Sequence, residues 1–378
     1  MGDAKDLLNT SLDDLRLKLE PKFDLMKLTY SHIRPTFDVY QMVDKFPNVQ
    51  NSNYEKMLKD AIEIRLKTIK PLRSDMNLLM QDVSNFMMIL SRMKDNPSLD
   101  ACIITEILIV GSLRIGTLIQ GEKTAEIAII LKTLPIRAAI SSFGHKILDE
   151  IQCYDTSKQY RMSFYDGTIE FVNIKTQNKI RLLITTITKN INKLKNEIHI
   201  ARRHVEFNSR EIYHAKWISS NIIDDDVKNL IRLMKDMVAR FEEFSFFTPW
   251  MIVVLSHHAI TSTPSRTSLP LHVGFQRIFQ NLSSGIFLPY SKGIADPFEP
   301  KMPIHGRLTV FDQETITLKA QHLLRILNAQ NGPNYVLGLT SLSESIQFDP
   351  ELAKIIQKKP VPILSKPTDF VIKPRSEI

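Results

Sequence analysis

Apolar residues recur at helical spacing over residues 54 to 93, with Leu58, Ile62, Ile69, Leu79, Val83, Phe86 and Leu90 among them. Pro71 is predicted to divide this stretch, because proline lacks the donor a helix interior needs. Asn96-Pro97-Ser98 ends it. The texture changes at 103. Ile103 to Val110 is apolar and β-branched, then broken by Gly111 and Ser112, and Ile127 to Leu131 is a second such run. Ile136 to Ile151 reads as helix. Phe164 to Ile174 and Lys179 to Ile187 read as two more strands, the latter opened by Gln177-Asn178. Strands mixed with helices predict an α/β lobe.

From 200 onward the period is helical. Val205 to Ser219 is one candidate, and Asp226 to Phe241 is clearer, with Leu230, Leu233, Met234, Met237, Val238 and Phe241 on one face. Pro249 opens a helix through Ala259, and Leu271 to Ile286 and Glu314 to Leu327 complete a helical lobe. Pro289 to Gly306 is a Pro/Gly-rich connection. The predicted organisation is an N-terminal segment over 1–36, a mixed-sheet lobe over 37–200, a helical lobe over 201–335 and a tail over 336–378. In the first segment Leu7, Leu8, Leu12, Leu15 and Leu19 form either an amphipathic helix or part of a mobile tail.

The composition is that of a globular chain: 378 residues, 43% hydrophobic and 24% charged. Two cysteines, Cys102 and Cys153, exclude a disulfide framework and a four-cysteine zinc site. No apolar run reaches the roughly 20 residues of a membrane span, so a soluble intracellular protein with no membrane partner is expected. Lysine and arginine number 49 against 41 acids, a net +8 that permits a polyanion partner without requiring one. Lys189, Lys193, Lys195, Arg202 and Arg203 form the densest basic region, either an RNA-facing phosphate surface or a solvated face.

One stretch carries candidate chemistry. The strand before Gly111-Ser112 is followed, about a dozen residues on, by a second strand beginning near Thr124. Glycine lets a backbone approach phosphate closely, and the serine hydroxyl can hold its oxygens. This resembles the nucleotidyltransferase signature of poly(A) polymerases and oligoadenylate synthetases, where the second strand bears two carboxylates at i and i+2. Such residues face the same way and can share two magnesium ions. Here the matching pair is Thr124 and Glu126. No acid lies between 127 and 148, nor between Glu170 and Glu197, where the third carboxylate would stand, around Leu183 to Thr186. The resemblance extends to Lys235, which falls at a lysine that reaches nucleotide phosphates, and to Thr248-Pro-Trp-Met251 and Ile294-Ala-Asp-Pro-Phe-Glu-Pro300.

Phe37-Asp-Val-Tyr40, Phe46-Pro47, Val110-Gly-Ser112, Ile130-Leu-Lys132, Leu183-Ile-Thr-Thr186, His214-Ala-Lys-Trp217, Thr248-Pro-Trp250, Phe287-Leu-Pro289 and Leu324-Arg-Ile-Leu327 together resemble the DZF domain, over about 37 to 335. That resemblance implies a nucleotidyltransferase fold, α/β plus α, without the full carboxylate set. Gly111, Ser112, Thr124, Glu126 and Lys235 would be a vestigial nucleotide pocket, with no catalytic residue, metal ligand or cofactor. The helical lobe would pair with a larger DZF protein carrying double-stranded-RNA-binding domains or zinc fingers. RNA would be bound mainly through that partner, and the complex would act in the nucleus. The chain lacks the Arg-Gly-Gly segment and the acidic tail seen in vertebrate members of the family. An inactive nucleotide sensor and an active RNA nucleotidyltransferase are the alternatives. Asp224-Asp-Asp226 is expected to cap a helix rather than bind metal. The adjacent His257 and His258 point in different directions, and His199, His204 and His214 lack metalloprotease spacing.

Overall fold

The computed structural model describes residues 37–38, 40–41 and 52–340, apart from 98, 157, 166 and 330. The leucines of the N-terminal segment, Phe46-Pro47 and the tail beyond 340 lie outside the described residues.

Two helices come first, α1 (Ser52–Ile69) and α2 (Arg73–Asp95), parted at Pro71 as predicted. A five-stranded mixed sheet follows. β1 (Ile104–Val110) is antiparallel to β2 (Thr124–Leu131), and β2 is parallel to β5 (Lys179–Thr186). β5 is antiparallel to β4 (Thr168–Asn173), which pairs with β3 (Tyr160–Tyr165), giving the order β1-β2-β5-β4-β3. A parallel pair needs a crossover. Here α4 (Arg137–Tyr154) and the β3–β4 hairpin supply it.

The run from Phe164 to Ile174 was expected as one strand and is instead the last two residues of one strand and all of the next. Gly167, at φ +90°, reverses the chain between β3 and β4. Apolar residues on both sides of the turn hide it from a hydrophobicity reading. Gln177, at φ +60°, makes the expected turn before β5.

Side-chain alternation splits the sheet into two environments. Ala125, Ile127, Ile129 and Leu131 of β2 face α2 and α4, where they meet Phe86, Leu90, Ile140, Phe143 and Ile147 in a continuous core. Each such Ile, Leu or Phe contributes about 1.5–3 kcal/mol by burial. Thr124, Glu126 and Ala128 face the other way. Ala128 and Leu183 pack there under Ile212 and Ala215 of α6 (Arg202–Asn221). Asn208 of α6 ties helix to sheet, its Nδ2 donating to Gly167 O at 3.0 Å and Ile184 O at 2.9 Å.

The second core is helical. α7 (Asp225–Arg240), α8 (Pro249–Thr261), α9 (Leu271–Ser283) and α10 (Val310–Leu327) surround Leu230, Met234, Leu255, Phe275, Phe279 and Leu323. Asp224 caps α7, accepting from Asp226 N at 2.9 Å, so the acidic triplet serves the helix terminus as expected. α10 starts four residues before the predicted Glu314, because Thr309 and Asp312 form a capping box. A short helix, α11 (Gly332–Val336), closes the described chain.

The division at residue 200 is one of sequence and not of packing. α1 buries Leu58, Ala61, Ile62, Leu66 and Ile69 in the helical core, although it precedes the sheet. α6 follows 200 and packs largely on the sheet. No described helix is long and apolar enough to cross a membrane. Cys102 is buried and Cys153 exposed, both as free thiols.

Candidate functional site

A cleft of about 1650 Å³ opens between the cores. The sheet face carrying Thr124 and Glu126 forms its floor, with α6 and α7 as walls and the N-terminus of α8 and residues 296–308 at the rim. Gly111, Ser112, Thr124, Glu126 and Lys235, which the family resemblance singled out, all line this one cavity.

β1 delivers the chain to Gly111, which stands at φ +66° and begins the single-turn helix α3 (Gly111–Ile115). The left-handed backbone favours glycine at 111, and a Cβ there would lie 2.3 Å from Glu126 Oε2, so any larger residue would also have to displace that carboxylate. Lys235 reaches across from α7. Its Nζ donates to Ser112 Oγ at 3.0 Å, Thr117 O at 3.2 Å and Glu122 Oε2 at 2.5 Å. Glu122 also accepts from Ile119 N at 3.1 Å. The lysine is therefore buried with its charge already met by a carboxylate.

On the floor, sheet register decides the chemistry. Glu126 of β2 stands beside Arg181 of β5, and Arg181 stands beside Glu170 of β4. Arg181 Nε donates to Glu170 Oε2 at 2.8 Å. The neighbouring-strand position expected around Leu183 to Thr186 is thus Arg181, because Leu183 pairs with Ala128, two residues further along β2. Thr124, Glu126 and Arg181 thus put one hydroxyl, one carboxylate and one guanidinium on this part of the floor.

Glu126 forms no hydrogen bond or ion pair among the described residues. Burial pushes its carboxyl up to about 7, Glu211 on α6 adds to the rise, and Arg181 opposes it. A carboxyl raised in the folded state binds its proton more tightly there than in the unfolded chain. The folded chain is then favoured at low pH and loses stability as the pH climbs towards 7. Glu126→Gln removes that loss. At about pH 8 the variant is expected to be more stable than the parent by roughly 1–2 kcal/mol, allowing for partial exposure. At about pH 5 the gap should close. Melting temperatures at both pH values check this, and an equal gap at each would refute it.

The basic residues behave differently. Lys189 lies on the short helix α5 (Thr188–Ile191), and it, Lys193, Lys195, Arg202 and Arg203 are exposed on one continuous stretch. Only Arg203 lines the cleft. Arg202 is held by Glu206 at 2.7 Å, and Arg203 donates to His204 Nε2 at 3.1 Å.

Sequence reasoning passed over several cleft residues. Arg181 was legible in principle, since Lys179 and Arg181 are polar at alternate positions of an apolar strand. Glu122 and Glu211 carry no sequence signal. Trp250 appeared only within resemblance motifs, and His214 there and among histidines without metal spacing; they stack at 3.9 Å with a 7° interplanar angle, and Phe298 lies 5.7 Å from Trp250. Trp250 Nε1 donates to Asp296 Oδ2 at 3.0 Å, which anchors the Asp-Pro loop to α8. The two adjacent histidines do separate: His257 meets Trp217 edge-on, while burial pushes His258 down to about 4 beside Arg277. The described residues contain no group of three or more His, Cys, Asp and Glu side chains placed to hold a metal ion.

The chain is similar to CdnC of E. coli MS115-1 solved with ATP, at TM-score 0.52 and 11% identity over 72% of this chain and 91% of that one. It is similar to the Cid1 poly(U) polymerase, at TM-score 0.52 and 11% identity over 75% and 98%. A cytoplasmic RNA terminal U-transferase matches at TM-score 0.51 and 11% identity over 75% and 97%. These likenesses establish the expected fold, a nucleotidyltransferase-like mixed-sheet lobe joined to a helical lobe. The DZF N-terminal domain matches residues 18–222 and the DZF C-terminal domain residues 226–358.

Proposed function

The chain belongs to the DZF family, and from that premise we propose that it is a catalytically inactive nucleotidyltransferase-fold protein that pairs with a larger DZF protein. The rung Glu126–Arg181–Glu170 carries the reading. Two-metal phosphoryl transfer needs carboxylates that hold hard cations and neutralise a triphosphate. Thr124 offers a hydroxyl, Arg181 puts a fixed positive charge beside the remaining acid, and Glu126 is raised towards neutrality. These residues do not fit a pair of divalent cations, and no reaction step is assigned to them.

The partner follows from the resemblance, which narrows within the family to interleukin enhancer-binding factor two. It would be a larger DZF protein with double-stranded-RNA-binding domains or zinc fingers, supplying most of the RNA affinity. The complex would regulate RNA processing, stability, translation or transcription in the nucleus. Exposed apolar side chains on α10 support a covered surface on the helical lobe: Phe311 is 71% and Leu318 55% exposed, one heptad apart on the same face. A second reading, nucleotide sensing, is favoured by Lys235 and Ser112 meeting beside Gly111 in a cavity roomy enough for a nucleotide.

The native mass of the nuclease-treated endogenous protein tests the pairing, with a one-to-one species of this chain and a larger protein expected. The purified chain should incorporate no labelled nucleotide with magnesium. A partner-free monomer, or incorporation lost on Glu126→Ala, would sink the proposal.

A further inference from the structure

The wall of the cleft formed by α6 has a pattern that loss of catalysis does not explain. Arg203, Phe207, Arg210 and His214 recur at steps of four, three and four residues, so they form one stripe along the helix, and all four line the cavity. Phe207 is 43% exposed, whereas α6 buries its aliphatic residues Val205, Ile212, Ala215 and Ile218. Arg210 has no acidic partner among the described residues, and Arg203 meets only an imidazole. This contrasts with Arg202 one position away, which is neutralised by Glu206.

The opposite edge repeats the chemistry. The hydrogen bond from Asn208 to Gly167 O holds the β3–β4 turn against α6, which brings Tyr165, 60% exposed at the end of β3, to the same rim. Where the rim meets the other end of α6, Phe298 stands 6.2 Å from Tyr213, and Arg307 follows on the same loop without an acidic partner among the described residues. Wet aromatic faces alternating with unneutralised guanidiniums, along an open groove, match the requirements of an unpaired nucleic-acid strand. Arginines track phosphates, and rings stack on bases without reading sequence. Two helical turns separate Arg203 from Arg210, about 10 Å along the axis, with Phe207 between them.

We propose that this chain itself binds single-stranded nucleic acid along the α6 wall of the cleft, with Phe207 stacking a base between phosphates held by Arg203 and Arg210. The site is distinct from the exposed lysines at 189–195. It needs neither the partner's domains nor a bound nucleotide.

The test is fluorescence anisotropy of the purified full-length chain with labelled oligouridylate of about 12 nucleotides, the matched DNA, and a duplex RNA. Phe207→Ala should weaken single-strand binding about tenfold, as expected for one lost stack. Arg203→Ala/Arg210→Ala should lower the slope of log affinity against log salt by about 1.4, at roughly 0.7 per phosphate contact. Lys189→Ala/Lys193→Ala/Lys195→Ala should leave the affinity within about twofold. RNA bound more tightly than DNA would place a 2′-hydroxyl contact in the groove, and equal affinities would leave stacking and charge as the whole recognition. The substituted side chains are exposed or line the cleft, and unchanged melting temperatures would show that the variants fold. The proposal is overturned if the parent binds no single strand at low salt, if duplex binds more tightly and ignores Phe207→Ala, or if oligoaspartate competes as well as oligouridylate.

Discussion

Replacing Asp82 by alanine is expected to cost about 3–5 kcal/mol of folding stability, a large share of the 5–15 kcal/mol typical of a folded protein. Asp82 sits on α2, almost fully buried, and is the single acceptor for side chains from three other places. It takes hydrogen bonds from Tyr160 Oη at 2.7 Å, Lys158 Nζ at 3.0 Å and Asn178 Nδ2 at 2.8 Å, and Asn173 Nδ2 lies 3.3 Å from both of its oxygens. Removing it strands an ammonium, a phenol and two amides where water does not reach. Burial and the bond to Asp82 push the Tyr160 phenol well above the ordinary tyrosine range, so that proton stays in place. Asp82→Asn keeps one acceptor oxygen and should lose less. Urea unfolding followed by fluorescence measures both variants, and a loss below about 1 kcal/mol for Asp82→Ala would show that the network is dispensable.

A comparable loss is expected from Asp38→Ala, at the other end of the molecule. Arg277 of α9 is 0% exposed, and Asp38 Oδ2, at 2.8 Å, is its one acidic partner among the described residues. The guanidinium also donates to Ala259 O at 2.9 Å and Ser262 O at 2.7 Å, and it lies 5.3 Å from the centroid of the Tyr40 ring. Deleting the aspartate leaves a buried cation uncompensated, at about 3–5 kcal/mol. Arg277→Met alone strands Asp38 instead. The double variant removes both charges and should recover part of the loss, since a buried pair often exchanges for apolar volume at little net cost. A double-mutant cycle reads this coupling, and strictly additive losses would contradict it. The consequence is local. Phe37, Asp38 and Gln41 all bond to the helical lobe, so the described residues before α1 are tied there.

Helix positions were legible because burial in this chain is strongly periodic. The face of α7 read from Leu230, Leu233, Met234, Met237 and Val238 is the face that is buried. Lobe membership was not legible for α1, because its apolar stripe fits either core. The β3–β4 hairpin was hidden because Gly167 lies between two apolar strands. In the cleft, Gly111, Ser112 and Glu126 were found because the resembling motif places them relative to strand ends, and Lys235 because its helix resembles one in the same enzymes. The polar alternation of β5 marks Arg181 in the sequence, but its place beside Glu126 comes from the parallel register of β2 and β5, which a sequence does not carry. The lysines from 189 to 195 illustrate the opposite case. They are dense in sequence and outside the cleft in space, whereas Arg203 and Arg210, two turns apart, share a wall.

The contact between Lys235 and Glu122 turns occupancy of this cavity into an exchange. Any polyanion arriving at Ser112 competes with a carboxylate tethered to the same fold, whose local concentration is on the order of millimolar or higher. Weak or dilute anions lose that competition, and a polyphosphate prevails only by offering several contacts at once. When it does, Glu122 is released. Its turn is bonded through Gln120 N to Ile69 O at the end of α1, 2.7 Å away. Ile69 itself lines the cleft, so the departure of that internal anion would be felt first at the end of α1, a helix otherwise packed in the helical core.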